Sequence, residues 1–359
     1  MIDKIQAVVP YEHTKELSGG VIESWDANGE MTWSRTRRQV ARGSWDGTCT
    51  VRSQNRIGES RWSHVHIDGC PGKLLQGHNL FGSDDVLGLL AMMMAVAMET
   101  CGQSADDFTL RRITEGRGVQ LIMIDITYSY SLGDRASVRS YLRALSHTAT
   151  IKHRGRGVLD HGTLYWGKRS SYWAYKLYGK ADEIDSPRKG HRLSGLYDGS
   201  LFGKDGRRLR LYAEPLLRGE FRLLPKELKR LGLDDGEPWA RIRPQQLYDL
   251  YTERMTVSEQ KMHEERFLHQ LTPSQLAAYQ AWKSGRDVAQ LYSRSQLWRH
   301  RRVLLQYGVD IAVTHQPEES NVVQMVKVLK PQPVDVPEWA KGGRVTYADP
   351  AEFRKRIKA

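Results

Sequence analysis

The chain has 359 residues and a formal net charge of +12, from 54 Lys and Arg against 42 Asp and Glu, and its 40% hydrophobic share excludes a wholly disordered chain. Mean hydropathy is −0.57, and no apolar run approaches the roughly 20 residues of a membrane span, which argues against a helical membrane protein. Three cysteines, Cys49, Cys70 and Cys101, with no CxxC pair, exclude a disulfide framework and a thiolate zinc site.

Met1-Ile2-Asp3-Lys4 lacks the basic-then-apolar layout of a signal peptide, so the expectation is a soluble protein of the reducing cytoplasm. A sequence pI near 9.5 points to a polyanionic partner, most often nucleic acid. Residues 1–60 read as short strands joined by turns, and 61–68 as a further strand. Ser83-Asp84-Asp85 supplies the N-cap of an apolar helix that runs to about Cys101, with Gly102 as its stop. Val119 to Tyr130 is the most strand-like segment, and Asp134 to Ser146 carries Val138, Leu142 and Leu145 at helical spacing. Gly162 to Lys180 reads as two strands around a turn, 185–208 as a polar loop, and Leu216 to Leu224 as another strand. The pattern predicts an α+β domain over 1–258, a smaller helical domain over 259–330 and an extended basic tail over 331–359, where Pro331, Pro333, Pro337 and Pro350 break regular structure.

Four strand patterns carry candidate chemistry. In His64-Val65-His66 the two imidazoles share a strand face with Trp62 and Asp68, which suits metal ligation or a half-exposed surface. Asp125 interrupts an apolar strand, so it needs an ionic partner or a metal. Its face also carries Met123 and Thr127, while Ile122, Ile124, Ile126 and Tyr128 point the other way. In Ser171 to Lys180, Trp173, Tyr175 and Leu177 form one face, and Lys176, Tyr178 and Lys180 the other. A tyrosine between two ammonium groups is suited to attack on phosphate, since the cations favour the phenolate. Glu220 shares a face with Arg218 and Arg222, so it either completes a metal site or forms an ion-pair ladder. In the helical domain, Gly285 to Tyr292 and an Arg294 to Gln306 helix capped by Ser293 form a helix, a turn and a basic helix able to enter a major groove.

The string Lys73-Leu74-Leu75-Gln76-Gly77-His78-Asn79-Leu80-Phe81-Gly82 resembles the replication initiators of filamentous phages, the gene II and gene X type of phage and plasmid replication proteins. The likeness continues in order through Ile124-Asp125-Ile126-Thr127-Tyr128, Thr163 to Lys180, Arg218-Gly219-Glu220-Phe221-Arg222 and Pro337-Glu338-Trp339. It implies an HUH-like five-stranded antiparallel sheet with helices, and a site- and strand-specific nicking and joining enzyme that starts rolling-circle replication. The family's nucleophilic tyrosine falls on Tyr178, with Lys180 beside the phosphate. Asp125 and His66, then Glu220 and His64, are the candidate ligands of Mg²⁺ or Mn²⁺. His78 and Lys73 are further candidates, His78 either as a ligand or as a holder of the turn before Ser83. DNA contacts are expected from Lys176, Lys152, Arg154 and Arg156 near the site, and from Arg299, Arg301 and Arg302 on duplex DNA. Implied partners are double-stranded origin DNA, single-stranded DNA, a host helicase and a host polymerase, with no membrane. A plasmid mobilisation relaxase would use the same chemistry, and a non-catalytic DNA-binding regulator would need only the basic helix. Met255 or Met262 are possible internal starts for a shorter product.

Overall fold

The computed structural model describes residues 1–55, 62–152, 154–186, 203–257, 270–307, 309–312, 336–343, 345–347 and 349–358. The strands in chain order are β1 (Ile2–His13), β2 (Val21–Trp25), β3 (Met31–Thr36), β4 (Gln39–Arg42), β5 (Thr48–Gln54), β6 (Trp62–Gly69), β7 (Gln120–Ser131), β8 (Ala149–Ile151), β9 (Gly155–Arg156), β10 (Val158–Asp160), β11 (Thr163–Trp166), β12 (Trp173–Gly179), β13 (Leu216–Leu223) and β14 (Met255–Val257). One nine-stranded sheet has the order β10-β11-β12-β13-β7-β1-β6-β5-β4. Every pairing within it is antiparallel. The α+β class and the antiparallel sheet are as expected. The sheet is broader than the implied five strands, because short strands extend both edges of a central set, β12-β13-β7-β1-β6.

Period-two alternation divides the central strands into an apolar face and a polar face. Ile5, Ala7, Val9, Val65, Ile67, Ile124, Ile126, Leu177 and Phe221 belong to one buried core with the helix Val86–Thr100. That helix is apolar on nearly all sides and is enclosed accordingly. Its N-cap is Asp85, whose Oδ1 accepts from the Gly88 amide at 2.9 Å; Ser83 lies two residues earlier and accepts from the Asp85 amide. Tyr248 of the helix Pro244–Thr252 lies against Gly219, where an added Cβ would stand 2.0 Å from the Tyr248 hydroxyl.

The C-terminal segment departs from the expected extended tail. Pro350–Lys358 is a helix, with Phe353 and Ile357 buried in the main core. Arg354 donates through Nε to Asp85 Oδ2 at 2.7 Å and through a second nitrogen to Asp85 Oδ1. Its prolines set the start of elements here: Pro350 opens the helix, and Pro337 precedes a single 3₁₀ turn. The smaller helical region has its own core of Leu271, Ala278, Tyr279, Val288, Leu304, Val309 and Ile311. Its helices, Pro273–Lys283 and Arg294–Leu304, each begin with a complete capping box, from Thr272 and Gln275 and from Ser293 and Gln296. Between them Val288–Gln290 is one 3₁₀ turn, shorter than the helix expected over 285–292. The expected boundary at 258/259 and Met262 lie outside the described residues. Among the described residues no helix is long and apolar enough to cross a membrane.

Candidate active site

Strand register assembles the polar face row by row. Tyr178 stands opposite Arg218, which stands opposite Ser129. The next row is Lys176, Glu220 and Thr127. The third is Ala174, Arg222, Asp125 and Lys4. The β1–β7 register then jumps, Ile2 pairing with Ile126 but Lys4 with Asp125, so Asp3 is an extra residue at a bulge. Ile2 and Ile5 stay in the core while Asp3 and Lys4 both turn from it. Carboxylate oxygens of Asp3, Asp125 and Glu220 thereby come within 4.8 Å of one another.

The Tyr178 hydroxyl donates to Glu220 Oε2 at 3.3 Å, and Lys176 Nζ lies 2.7 Å from Glu220 Oε1. Arg222 grips Asp125 with two bonds of 2.7 Å, and Arg218 reaches Asp3 Oδ1 at 3.1 Å. Burial and the charge of Asp125 push Glu220 up to about 7. Burial works against Asp3 too, but Arg218, Lys180 and Lys73 hold it below the ordinary carboxylate range. The phenol of Tyr178, only 6% exposed, is pushed well above 10 by burial and by Glu183 and Glu220, against the pull of Arg218. This corrects the expectation that neighbouring cations favour the phenolate: in the DNA-free protein, desolvation of the anion is the larger effect. Lys176 stays with Tyr178, its Nζ 5.1 Å from the ring centre. The strand ends at Gly179, so Lys180 opens the helix Lys180–Ile184 instead of extending the same face. It is fully buried, donates to Asn79 Oδ1 at 2.8 Å and pairs with Glu183. Burial lowers Lys180 to about 8, and burial works against Glu183 as well, but Lys180, Lys73 and Arg218 together bring it down to about 2.

The turn after the short helix Pro71–Gln76 supplies the rest. Gly77 caps that helix with φ 82°, and a Cβ there would meet the Trp45 ring at 2.5 Å, so two constraints require glycine. Asn79 Nδ2 donates to Asp3 Oδ1 at 2.6 Å, and the Asn79 carbonyl accepts from Arg218. One residue thus joins the bulge carboxylate, Lys180 and Arg218. His78 points the other way. It is fully buried, its Nε2 donates to the Val345 carbonyl at 2.8 Å and its Nδ1 accepts from the Leu80 amide at 3.3 Å. Both nitrogens are engaged as a neutral ring, and burial lowers its pKa to about 3. His78 therefore holds the turn to the C-terminal segment. Gln76 does the same, donating to the Phe81 carbonyl at 2.8 Å and accepting from the Tyr347 amide at 3.2 Å.

The other sequence candidates lie elsewhere. His64 and His66 are buried on β6, outside the three-carboxylate group. His64 Nδ1 is 2.8 Å from Ser63 Oγ, and His66 Nε2 is 3.0 Å from Gln6 Nε2. Burial, Arg38 and Arg52 bring His66 down to about 4. Arg154 stacks 4.4 Å from the Trp173 ring centre and bonds Ser170 Oγ at 2.9 Å, whereas Lys152 and Arg156 are exposed. Arg301 is held by two bonds to Asp310, at 2.7 and 2.9 Å, while Arg299 and Arg302 are exposed. Lys73 is half-buried and acts on Asp3 and Glu183 through its charge. The residues that sequence reasoning missed are Asp3 and the role of Asn79; the signal for Asn79 was its place in the Gln-Gly-His-Asn string.

The three carboxylates offer hard oxygen donors, the set that suits Mg²⁺ or Mn²⁺. Burial first, and then Asp125, raise the cost of charge on Glu220, and a divalent cation held among the three carboxylates would offset that cost.

Comparison with known proteins extends over most of the chain. Residues 1–242 match the N-terminal family of the gene II type replication-associated proteins, and residues 265–343 match the C-terminal family of the same proteins. A replication-associated protein of this type from Enterobacteria phage I2-2 is 32% identical over 344 residues, covering 94% of this chain and 95% of that protein. A solved structure of a rolling circle replication initiator protein from Geobacillus stearothermophilus covers 74% of this chain and 90% of its own, at 11% identity and a TM-score of 0.31, too loose a likeness to bear on the site.

Proposed function

The chain belongs to the gene II type family of replication-associated proteins, and from that premise we propose that it starts rolling-circle replication by nicking one strand of a circular duplex through Tyr178. The observation that carries this reading is the Tyr178 hydroxyl bonded to Glu220 within the Asp3, Asp125 and Glu220 group. Tyr178 Oη attacks the phosphorus, the bond from phosphorus to the 3′ oxygen breaks, and the strand is left with a 5′-phosphotyrosyl link and a free 3′-hydroxyl. Glu220 Oε2, 3.3 Å from the Tyr178 hydroxyl, is placed to take the phenolic proton. Attack by a displaced 3′-hydroxyl on the phosphotyrosine reverses the chemistry and closes a circle without ATP, because the link conserves the bond energy.

Asp3, Asp125 and Glu220 would hold the divalent cation, which when bound polarises the scissile phosphate and offsets its developing charge. Lys176 remains protonated, because against burial the charge and hydrogen bond of Glu220 together with Asp125 and Asp3 raise its pKa, and it supplies positive charge on the face where the phosphate arrives. Asn79 orients Asp3 and Lys180. Entry of DNA must expose Tyr178, since it is buried without it. Nicking followed by extension of the freed 3′-end uses origin DNA as a duplex and a single strand in turn, with helicase and polymerase drawn from the bacterial host cytoplasm.

Supercoiled origin DNA incubated with the protein and Mg²⁺ tests this reading. It predicts open circles nicked in one strand, each with a 3′-end that a polymerase extends directly. Double-strand cuts, or 3′-phosphate ends that block extension, would exclude it.

A further inference from the structure

We propose that the helix Arg294–Leu304 reads duplex DNA through one exposed stripe, Arg294, Ser295, Trp298, Arg299 and Arg302, and that Arg301 takes no part. The spacing places these five side chains on one helix face, and all five are exposed, Trp298 by 59%. Internal contacts fix the helix rotation. Leu304 is buried, Leu297 packs on the same core, and His300 Nε2 lies 3.1 Å from Ser274 Oγ on the preceding helix. Arg301 is turned to Asp310, which also takes Arg143 of the helix Arg135–Thr148 at 3.4 Å. The basic run Arg299 to Arg302 therefore splits, with Arg299 and Arg302 outward and Arg301 closing the domain's attachment.

Charge selects the occupant. Residues 270–312 contain six Lys and Arg against two Asp. Both acids are engaged internally, Asp310 by the arginines and Asp287 as the cap of the 3₁₀ turn, accepting from the Ala289 amide at 3.0 Å. Among the described residues no carboxylate pairs with Arg294, Arg299 or Arg302, so the stripe presents cations around one flat apolar ring, with the Arg302 guanidinium 5.6 Å from the Trp298 ring centre. An eleven-residue helix, ~16 Å long, fits the width and length of a major-groove contact, where arginines meet phosphates and guanine edges and an aromatic ring meets thymine methyls. A single strand offers no groove to a convex helix, so a duplex is the partner this surface fits.

The test uses the full-length protein with a mixed-sequence duplex of about three helical turns and the matching single strand, titrated across salt concentration. The double variant Arg299→Ala/Arg302→Ala is expected to lose at least ~10-fold in duplex affinity and to lower the salt slope by about two, at roughly 0.9 for each phosphate no longer neutralised. Trp298→Ala weakens duplex binding with the slope retained. Single-strand binding stays within ~2-fold in both, and thermal midpoints are unchanged because the positions are exposed. Arg301→Ala gives the opposite pattern, a lower midpoint with an unchanged salt slope. Unchanged duplex affinity, an equal loss on single strands, or a fall in thermal midpoint for the stripe variants would each overturn the proposal. Binding is read without nicking, so it stands or falls independently of Tyr178.

Discussion

Asn79 Nδ2 donates to Asp3 Oδ1 at 2.6 Å, which ties the Gln-Gly-His-Asn turn to a bulge in the first strand, 76 residues away in sequence. The bond satisfies a half-buried carboxylate that also faces Arg218, and it leaves Asn79 Oδ1 to receive Lys180. Replacing Asn79 with Ala removes both contacts and leaves the backbone bond to Arg218. The expected result is a ~10- to 100-fold drop in nicking, the usual scale for a partner that orients a ligand, with a higher Mn²⁺ concentration needed for half-activity and a thermal midpoint near that of the parent. A loss of activity with no change in Mn²⁺ dependence would separate Asn79 from Asp3.

The carboxylate group makes a prediction about metal binding that needs no DNA. Asp3→Asn and Asp125→Asn should each weaken Mn²⁺ binding, followed by electron paramagnetic resonance or calorimetry. His66→Gln should leave it unchanged, since His66 lies outside the group of Asp3, Asp125 and Glu220. Equal weakening by His66→Gln would move the ligand set toward β6.

His78 predicts a pH dependence of stability. Its pKa is near 6.5 in the unfolded chain and about 3 in the fold, so between these values the unfolded state binds more protons. The contribution of the neutral ring is complete above pH 6.5 and is lost as pH falls toward 3, at up to about 1.4 kcal/mol per pH unit. The main physical cause is burial of the ring, helped by the charges of Lys180 and Arg218, and protonation would also place an N–H at Nδ1 against the Leu80 amide. His78→Gln should lower stability at pH 7 and show a flatter decline between pH 6.5 and 4.5; parallel curves would refute the assignment.

Gly219 predicts a packing limit. An Ala at this position puts Cβ against Tyr248 and Tyr175, whose hydroxyls are hydrogen-bonded at 2.7 Å. Overpacking of this kind costs about 1–3 kcal/mol, so Gly219→Ala should lower the unfolding midpoint in urea, and Gly219→Ala/Tyr248→Phe should recover part of it. No change in midpoint would show that the sheet yields there.

Much of this site was legible in the chain. Alternation was enough to set Asp125 away from the apolar face of β7, Lys176 beside Tyr178 on β12 and Glu220 beside Arg218 and Arg222 on β13, because a strand offers its side chains only two directions; the strand register then joins the three into one face. Asp3 escaped the same logic, since a bulge breaks the alternation and nothing local announces the partner register that creates it. Lys180 escaped because the strand stops at Gly179, and the phenol of Tyr178 escaped because burial is a property of the whole fold. The prolines after 330 suggested a tail, yet Phe353 and Ile357 carry an apolar stripe whose partners are over 200 residues away. Arg301 and Arg302 look equivalent in sequence; one contact, to Asp310, separates them.

The central claim is that Tyr178 becomes covalently joined to DNA. Supercoiled origin DNA is incubated with the protein and Mg²⁺, denatured, digested with protease, and the DNA-linked peptide identified. The account predicts a denaturant-resistant adduct on the 5′-end of the nick, mapped to Tyr178 and absent from Tyr178→Phe, with that variant still folded and still binding the duplex. Parent-level nicking by Tyr178→Phe, or an adduct mapped to Tyr172 or Tyr175, would contradict it.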